Sequence, residues 1–208
     1  MDLNQILFGV YPYVALSVLA IGSVLRFDRE PYTWRTGSSQ LLRRKQLMTG
    51  SVLFHIGVLA IFGGHFVGLL TPVVVWDTLG VTHSAKQMLA IVAGGVAGAF
   101  ALVGGLLLLH RRLMDPRVRA NSSFADTAIL VMLMAPLLLG LATIPISLTH
   151  RDGHEMMKFM NWAQGVFTLR PGVADLVADV HWIFKAHLTL GLTICYDVRF
   201  PALYRALA

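Results

Sequence analysis

LMTGSVLFHIGVLAIFGGHFVGLLTP, residues 47–72, is the stretch that decides the fold. It is long enough to cross a bilayer, because a hydrocarbon core of about 30 Å needs about 20 helical residues. It contains no Asp, Glu, Lys or Arg, yet it includes His55 and His65. An ionisable side chain inside a membrane helix is costly and by default marks a functional site. The stretch therefore predicts a transmembrane helix whose histidines have partners.

The two histidines are separated by roughly 15 Å along a helix axis and by about 80° around it, which puts one near each membrane face. Imidazole is a common axial ligand of haem, and a flat macrocycle that lies against a helix needs small neighbours. The stretch supplies Gly57, Gly63, Gly64 and Gly68. Hydrogen-bonded histidines at a helix interface, with glycines that allow close packing, explain the same residues. From this helix alone, both interpretations stay open.

The composition predicts an integral membrane protein. Hydrophobic residues make up 56% of the 208 residues and charged residues 13%, with a mean hydropathy of +0.66. The excess of 17 Lys and Arg over 11 Asp and Glu lies in short segments beside apolar spans, a pattern that sets membrane topology rather than one that binds nucleic acid. The one cysteine, Cys195, excludes an intrachain disulfide framework and a Cys-ligated iron–sulfur cluster.

The predicted fold class is all-α, a polytopic bundle of five transmembrane helices. The spans are residues 5–25, 47–71, 87–109, 124–147 and 179–196. Arginine-rich connections follow the first and third spans, so we expect both to be cytoplasmic, the N-terminus to lie outside and the C-terminus inside. Gly94 and Gly98 have the spacing of a helix contact. Residues 153–169 have one apolar side and predict a short helix on the membrane surface.

Helical rise predicts which histidines meet. His65 lies about seven residues before the outer end of the second span, and His187 about eight residues after the outer start of the fifth. The two spans run in opposite directions, so both side chains are expected roughly 10 to 12 Å below the outer face. This match in depth favours a bis-histidine haem between the second and fifth spans. The deeper His55 lacks such a match, since no histidine follows His187, and the second site therefore looks incomplete.

Many stretches of residues 11–191 match one family. They include YPY from Tyr11, LFHIG and GHF within residues 53–66, KQM from Lys86, PRVRA from Pro116, and EMMK and WAQ within residues 155–164. The chain resembles the gamma subunit of the respiratory membrane-bound nitrate reductases, a cytochrome b that anchors molybdenum and iron–sulfur subunits. Residues 1–190 are thus expected to form a di-haem membrane domain.

The resemblance implies a multi-pass protein of the inner (cytoplasmic) membrane with two b haems. It would oxidise menaquinol or ubiquinol near the outer face and send electrons to the molybdenum and iron–sulfur subunits at the cytoplasmic face. By position, His65 and His187 would bind the distal haem and His55 the proximal haem. Lys86 and Gly64, together with His65, match the family's quinol site. Arg112 matches a position near the proximal haem propionates, where a guanidinium can pair with a carboxylate.

The last residues depart from this pattern. GLTICYDVRFPALYRALA, residues 191–208, resembles the nucleophile segment of the nitrilase (carbon–nitrogen hydrolase) superfamily, with Cys195 as the nucleophile. A thiolate nucleophile needs a positioned base, and the preceding membrane spans offer no such scaffold. We expect an anomalous tail that truncates the fifth span and removes the fourth haem ligand. A haem-deficient anchor for partner subunits is therefore the main alternative function, and a hydrolase fragment a minor one.

Overall fold

The computed structural model describes residues 2–29, 42–122 and 124–197. All the regular secondary structure within these residues is helical. Four long helices dominate: α2 (Tyr11–Arg29), α3 (Arg44–Leu70), α5 (His83–Met114) and α7 (Phe124–Thr149). The shorter helices are α1 (Leu3–Gln5), α4 (Val73–Thr78), α6 (Pro116–Ala120), α8 (His154–Phe167) and α9 (Trp182–Asp197). A π-helical segment, Ile6–Val10, joins α1 to α2, and a 3₁₀ helix covers Val173–Val177. The all-α prediction is confirmed.

Four helical segments are long and apolar enough to cross a membrane: Leu3–Leu25, Arg44–Leu70, His83–Met114 and Asp126–Thr149. They match the first four predicted spans to within about five residues, so the chain is a multi-pass membrane protein. Helix α9 occupies the fifth predicted span with 16 residues. The fifth crossing and the orientation stay predictions, and residues 198–208, most of the tail, lie outside the described residues.

Local chemistry sets where the spans end. Helix α3 stops at Leu70, shortly before Pro72, which has no N–H to continue it. Asp115 ends α5 and begins α6, because its carboxylate accepts the backbone N–H groups of Arg117 and Val118. The carboxylate also lies 2.6 Å from Nε of Arg43. The N–H of Val118 and the Arg43 side chain together lower the pKa of Asp115.

Helices α3, α5, α7, α9 and α2 pack against one another in that order, whereas α3 and α9 do not pack closely against each other. Backbone contact between α3 and α5 depends on glycine. A Cβ on Gly57 would lie 2.6 Å from the carbonyl oxygen of Ala97. Gly57 is therefore a helix-packing residue and not part of a groove for a macrocycle. By contrast, a Cβ on Gly63, Gly64 or Gly68 would meet no atom within 4 Å.

Helix α8 closes one end of the bundle, which we call the α8 end; the opposite end, at α6, is the α6 end. The short helix predicted within residues 153–169 is present, but its apolar side packs on protein. Three of its buried residues join Phe8, Ala15 and Val177 in the main core cluster: Trp162, Ala163 and Val166. Two side chains of α8 bond the ends of other helices: Trp162 donates to the carbonyl of Phe8, and Gln164 to those of Leu69 and Thr71. This layer fixes the α8 end as one unit.

Candidate functional site

His65 of α3 and His187 of α9 meet although their helices are not closely packed. Their ring centroids are 5.9 Å apart, with the ring planes inclined by 44°. A metal–imidazole nitrogen bond is about 2 Å long, so two imidazoles on opposite sides of one metal have centroids about 6 Å apart. The separation fits two axial ligands of one iron, while ligation itself stays a prediction.

Both rings are held in the same tautomer. Nδ1 of His65 lies 2.8 Å from the carbonyl oxygen of Ile61, and Nδ1 of His187 lies 2.9 Å from that of Pro136. A carbonyl only accepts, so each Nδ1 carries the proton and donates it. The lone pair therefore lies on Nε2 of each ring, the nitrogen available to a metal. A backbone acceptor behind a metal-binding histidine is the usual device for orienting the ring and raising its basicity.

Helix α7 supplies a surface on which the His187 ring rests. Gly140 is one helical turn after Pro136, and a Cβ built on it would lie 3.0 Å from Cε1 of His187. A side chain at residue 140 would therefore crowd the ring and displace it from its position against the Pro136 carbonyl. Neither the Pro136 carbonyl as an acceptor nor Gly140 as the surface under the ring was predicted from the sequence.

The space beside the pair suits a flat ligand. Gly64, next to His65, and Gly191, one turn after His187, would each carry a Cβ with no neighbour within 4 Å. His65 and Gly64 are exposed, and His187 is partly buried. Across the described residues there is no cluster of three or more His, Cys, Asp and Glu side chains that could hold a metal ion. A bis-imidazole haem needs only two protein ligands, because the porphyrin supplies the others.

His55 is oriented like the other two histidines. Its Nδ1 donates to the carbonyl oxygen of Ser51 at 2.7 Å, which leaves the lone pair on Nε2. Its ring packs edge-on against Phe54, which is buried in the core between α3, α5 and α7. The structure thus places His55 deeper along α3 than His65, as the spacing predicts, and brings neither His65 nor His187 to it.

Lys86 lies at the α8 end and is more deeply buried than an interfacial lysine. Only 3% of its surface is exposed. Its Nζ lies 2.6 Å from Sδ of Met160 and 4.5 Å from the ring centroid of Trp76. Within the described parts of the chain, no carboxylate pairs with it. A buried cation with such weak partners is expensive, which points to a polar ligand that the ammonium would bind.

The surroundings of Lys86 could not be read from the sequence. Trp76 comes from α4, and its indole N–H is buried with no hydrogen-bond partner among the described residues. The neighbouring Gln87 donates from Nε2 to the carbonyls of Ser147 and His150, both at 2.7 Å, and thereby holds the end of α7. Burial of Trp76 Nε1 beside Lys86 adds a second donor to the same region.

At the α6 end, Arg112 is partly buried and donates from Nη1 to the carbonyl of Asp126. Its neighbour Arg111 is the buried one, 3% exposed, and donates to the carbonyl of Leu42 at 2.8 Å. The family resemblance pointed to Arg112 and not to Arg111, and only the packing of α5 decides which of two adjacent arginines faces inward. Cys195 is half-buried on α9.

Comparison with known proteins agrees with the resemblance. A family model described as the nitrate reductase gamma subunit matches residues 4–203, beyond the 11–191 of the resemblance at both ends. The respiratory nitrate reductase 1 gamma chain of Escherichia coli (strain K12) is 49% identical over 192 residues, which cover 92% of this chain and 85% of that protein. The respiratory nitrate reductase 2 gamma chain of the same strain is 45% identical, with 92% and 84% covered. The nitrate reductase gamma chain of Bacillus subtilis (strain 168) is 34% identical, with 92% and 85% covered.

Proposed function

Because the chain belongs to the nitrate reductase gamma subunit family, we propose that this membrane subunit oxidises a quinol at its α8 end and passes the electrons through haem b to cytoplasmic partner subunits. The facing pair of His65 and His187 carries this proposal. A centroid separation of 5.9 Å, with each Nδ1 donating to a backbone carbonyl, leaves both Nε2 atoms available to one haem iron and supports this proposal.

The haem assignments follow from the orientation of each ring. Nε2 of His65 and of His187 would hold the iron of a haem at the α8 end. Nε2 of His55 would supply one ligand of a second haem, roughly 15 Å further along α3. Arg112, at the α6 end, would pair with a propionate of that haem. When bound, b-type haem supplies one-electron transfer between the quinol site and the partner subunits.

Lys86 is the proposed quinol-binding residue. Its ammonium would exchange the weak Met160 contact for a hydrogen bond to a quinol oxygen, which a buried cation favours. Oxidation of the quinol releases two electrons and two protons. The space next to Gly64 is open, since a Cβ built there meets no atom within 4 Å. A quinol ring could therefore lie beside His65 at this position. Nothing in this scheme requires Cys195 or a hydrolase activity.

The direction of electron flow sets the partners. Protons would leave at the α8 end, which we place outside the cytoplasm, and electrons would leave at the α6 end. That end has the basic residues Arg117 and Arg119 exposed, a charge pattern expected of a cytoplasmic end. We propose that iron–sulfur and molybdenum subunits dock there and that the protein lies in the cytoplasmic membrane.

The test measures reduction of the b-type absorbance when a quinol is mixed with the oxidised complex. Lys86→Met should slow this reduction about 10- to 100-fold. This factor corresponds to the free energy of one lost hydrogen bond from a charged donor. The thermal midpoint should stay level or rise, since replacing a buried charge by an apolar side chain of similar size removes a desolvation cost. Unchanged quinol oxidation in Lys86→Met would remove Lys86 from the site.

The same sample distinguishes the alternative function. A purified protein with no b-type absorbance, still bound to its partner subunits, would be the haem-deficient anchor.

The control for Lys86→Met is Lys185→Met. Lys185 donates to the carbonyl of Ala178 near the same end, and its replacement should leave the rate of haem reduction unchanged.

A further inference from the structure

A groove at the α8 end is separate from the histidine pair and from Lys86. We call it the Arg170 groove. One wall is the start of the first span, with Gln5, Gly9, Val10 and Tyr13, and the other is the loop of residues 169–175. Its volume is about 470 Å³. Asn4 donates to the carbonyl of Ala174 at 2.8 Å, which fixes the loop against the helix.

The groove has a polar and an apolar end. The loop lies level with Asn4 and Gly9, where a Cβ on Gly9 would touch Cβ of Ala174 at 3.4 Å. Val10 and Tyr13 continue the helical wall toward the middle of the span, up to about 12 Å beyond Gln5. The groove therefore runs from the interface into the apolar depth of the bilayer.

The polar end carries two opposite charges that do not pair with each other. Arg170 and Asp175 both line the groove and are exposed. Among the residues that the structure describes, neither side chain takes part in an ion pair. An anionic ligand alone would be repelled by Asp175, and a cationic one by Arg170. A headgroup with a phosphate and an ammonium would complement both.

Leu169 supplies an independent observation. After α8, the N–H of Arg170 bonds to the carbonyl of Gly165 at 2.8 Å, and the N–H of Leu169 bonds to that of Val166 at 3.3 Å. This is a Schellman ending, whose left-handed position glycine normally occupies. Leu169 holds that position with φ +56° and is 75% exposed on the rim of the groove. The left-handed backbone thus places an apolar side chain at the rim of the groove, beside the charged end, where it can contact the chains of a bound lipid.

We propose that the Arg170 groove binds one phosphatidylethanolamine molecule. Arg170 pairs with the lipid phosphate and Asp175 with its ammonium, while an acyl chain follows Leu169, Val10 and Tyr13 into the bilayer. The shape of the groove fits this occupant, with charge at the interface and apolar walls below. The inference is independent of the proposed quinol and haem chemistry.

The experiment is native mass spectrometry of the full chain, delipidated in mild detergent and incubated with defined lipids. Phosphatidylethanolamine should be retained several-fold more than phosphatidylglycerol, which has the phosphate but no ammonium. Asp175→Asn should abolish that preference, and Arg170→Gln should lower retention of both lipids. Equal retention of the two lipids by the unsubstituted protein, or retention of a quinone in place of the phospholipid, would overturn the proposal.

Leu169→Gly separates binding from folding. Glycine relieves the left-handed strain, so the thermal midpoint of the lipid-free protein should stay or rise. Retention of phosphatidylethanolamine should nevertheless fall several-fold, and unchanged retention would count against the groove. The control is Arg151→Gln, an exposed arginine at the same end that bonds to the carbonyl of Leu148 and should bind lipid as before.

Discussion

Gly140 lies directly against the imidazole of His187: a Cβ on Gly140 would approach Cε1 of that ring to 3.0 Å. Gly140→Val should therefore push the ring away from the Pro136 carbonyl and lower the content of the haem assigned to His65 and His187. Spectra of purified protein in the reduced and oxidised states measure this content. Gly94→Val is the control, because Gly94, unlike Gly98, does not make the helix contact that their spacing predicts, and a Cβ there meets no atom within 4 Å. An unaltered spectrum in Gly140→Val would show that the ring position does not depend on Gly140.

Gly57 and Gly63 lie on the same helix and should respond oppositely to substitution. Gly57→Ala places a Cβ against the backbone of α5, 2.6 Å from the carbonyl oxygen of Ala97, so α3 and α5 must separate. Overpacking of this kind costs about 1–3 kcal/mol. Gly63→Ala has open space and should be neutral or slightly stabilising. Thermal unfolding in detergent compares the two; equal midpoints would contradict the packing described.

Trp162 and Pro12 form a second testable pair. Pro12 has no N–H, so the carbonyl of Phe8 lacks the helical donor that would lie four residues on, and Nε1 of Trp162 donates to it at 2.9 Å instead. Trp162→Phe should destabilise the fold by about 1–3 kcal/mol, since it leaves a buried acceptor unsatisfied. In a Pro12→Ala background, which restores a backbone N–H, the cost should shrink.

The control for this pair is Trp182→Phe. Trp182 is 66% exposed, so its replacement should change the unfolding free energy much less. A double-mutant cycle with the same cost of Trp162→Phe in both backgrounds would mean that Pro12 does not create the need for the indole donor.

The ion pair of Lys158 and Asp179 predicts a pH dependence at the α8 end. Nζ of Lys158 lies 2.7 Å from the Asp179 carboxylate and 3.0 Å from that of Glu155. The hydrogen bond from Lys158 lowers the pKa of Asp179 below its usual 3.8, and those to Asp179 and Glu155 raise the pKa of Lys158 above 10.5. The pair therefore contributes its full stabilisation to the folded protein at pH values between 3.8 and 10.5.

Stability from Asp179 is lost as the pH falls through its lowered pKa, and stability from Lys158 is lost as the pH rises through its raised pKa. Asp179→Asn should flatten the acid part of a plot of thermal midpoint against pH. The effect should be small and should weaken with salt, because the pair is near the surface. Asp152→Asn, at an exposed carboxylate on the same segment, should keep the acid slope. If both variants lost the acid slope, the pH dependence could not be assigned to Asp179.

The sequence predicted the helical class and the first four spans because an uninterrupted apolar run long enough for a bilayer has few other uses. It also predicted that His65 and His187 lie at the same depth, since helical rise converts residue number into depth. It could not assign the glycines: Gly57 faces the backbone of α5 and Gly63 faces open space, although both belong to one helix. Which glycine contacts another helix depends on where α5 packs, and the sequence of α3 alone does not determine that.

Other features depended on contacts distant in sequence. Lys86 was matched to the quinol site by resemblance, but its burial was not predicted, because Trp76 and Met160 cover it from helices before and after its own. The bond from Trp162 to Phe8 joins residues 154 positions apart. No local sequence pattern predicts such a pair. It forms because the π-helical segment and Pro12 leave the carbonyl of Phe8 as a free acceptor at the α8 end.

The central claim is that His65 and His187 bind the same haem iron, and its most direct test is haem content with rescue by free imidazole. His65→Gly and His187→Gly should each remove the same b-type component from the difference spectrum, the double variant should remove no more, and added imidazole should restore the component. His181→Gly, at an exposed histidine six residues before His187 that accepts the N–H of Ile183, should leave the spectrum unchanged. Full haem content in His187→Gly without imidazole, or loss of different components in the two single variants, would contradict the account.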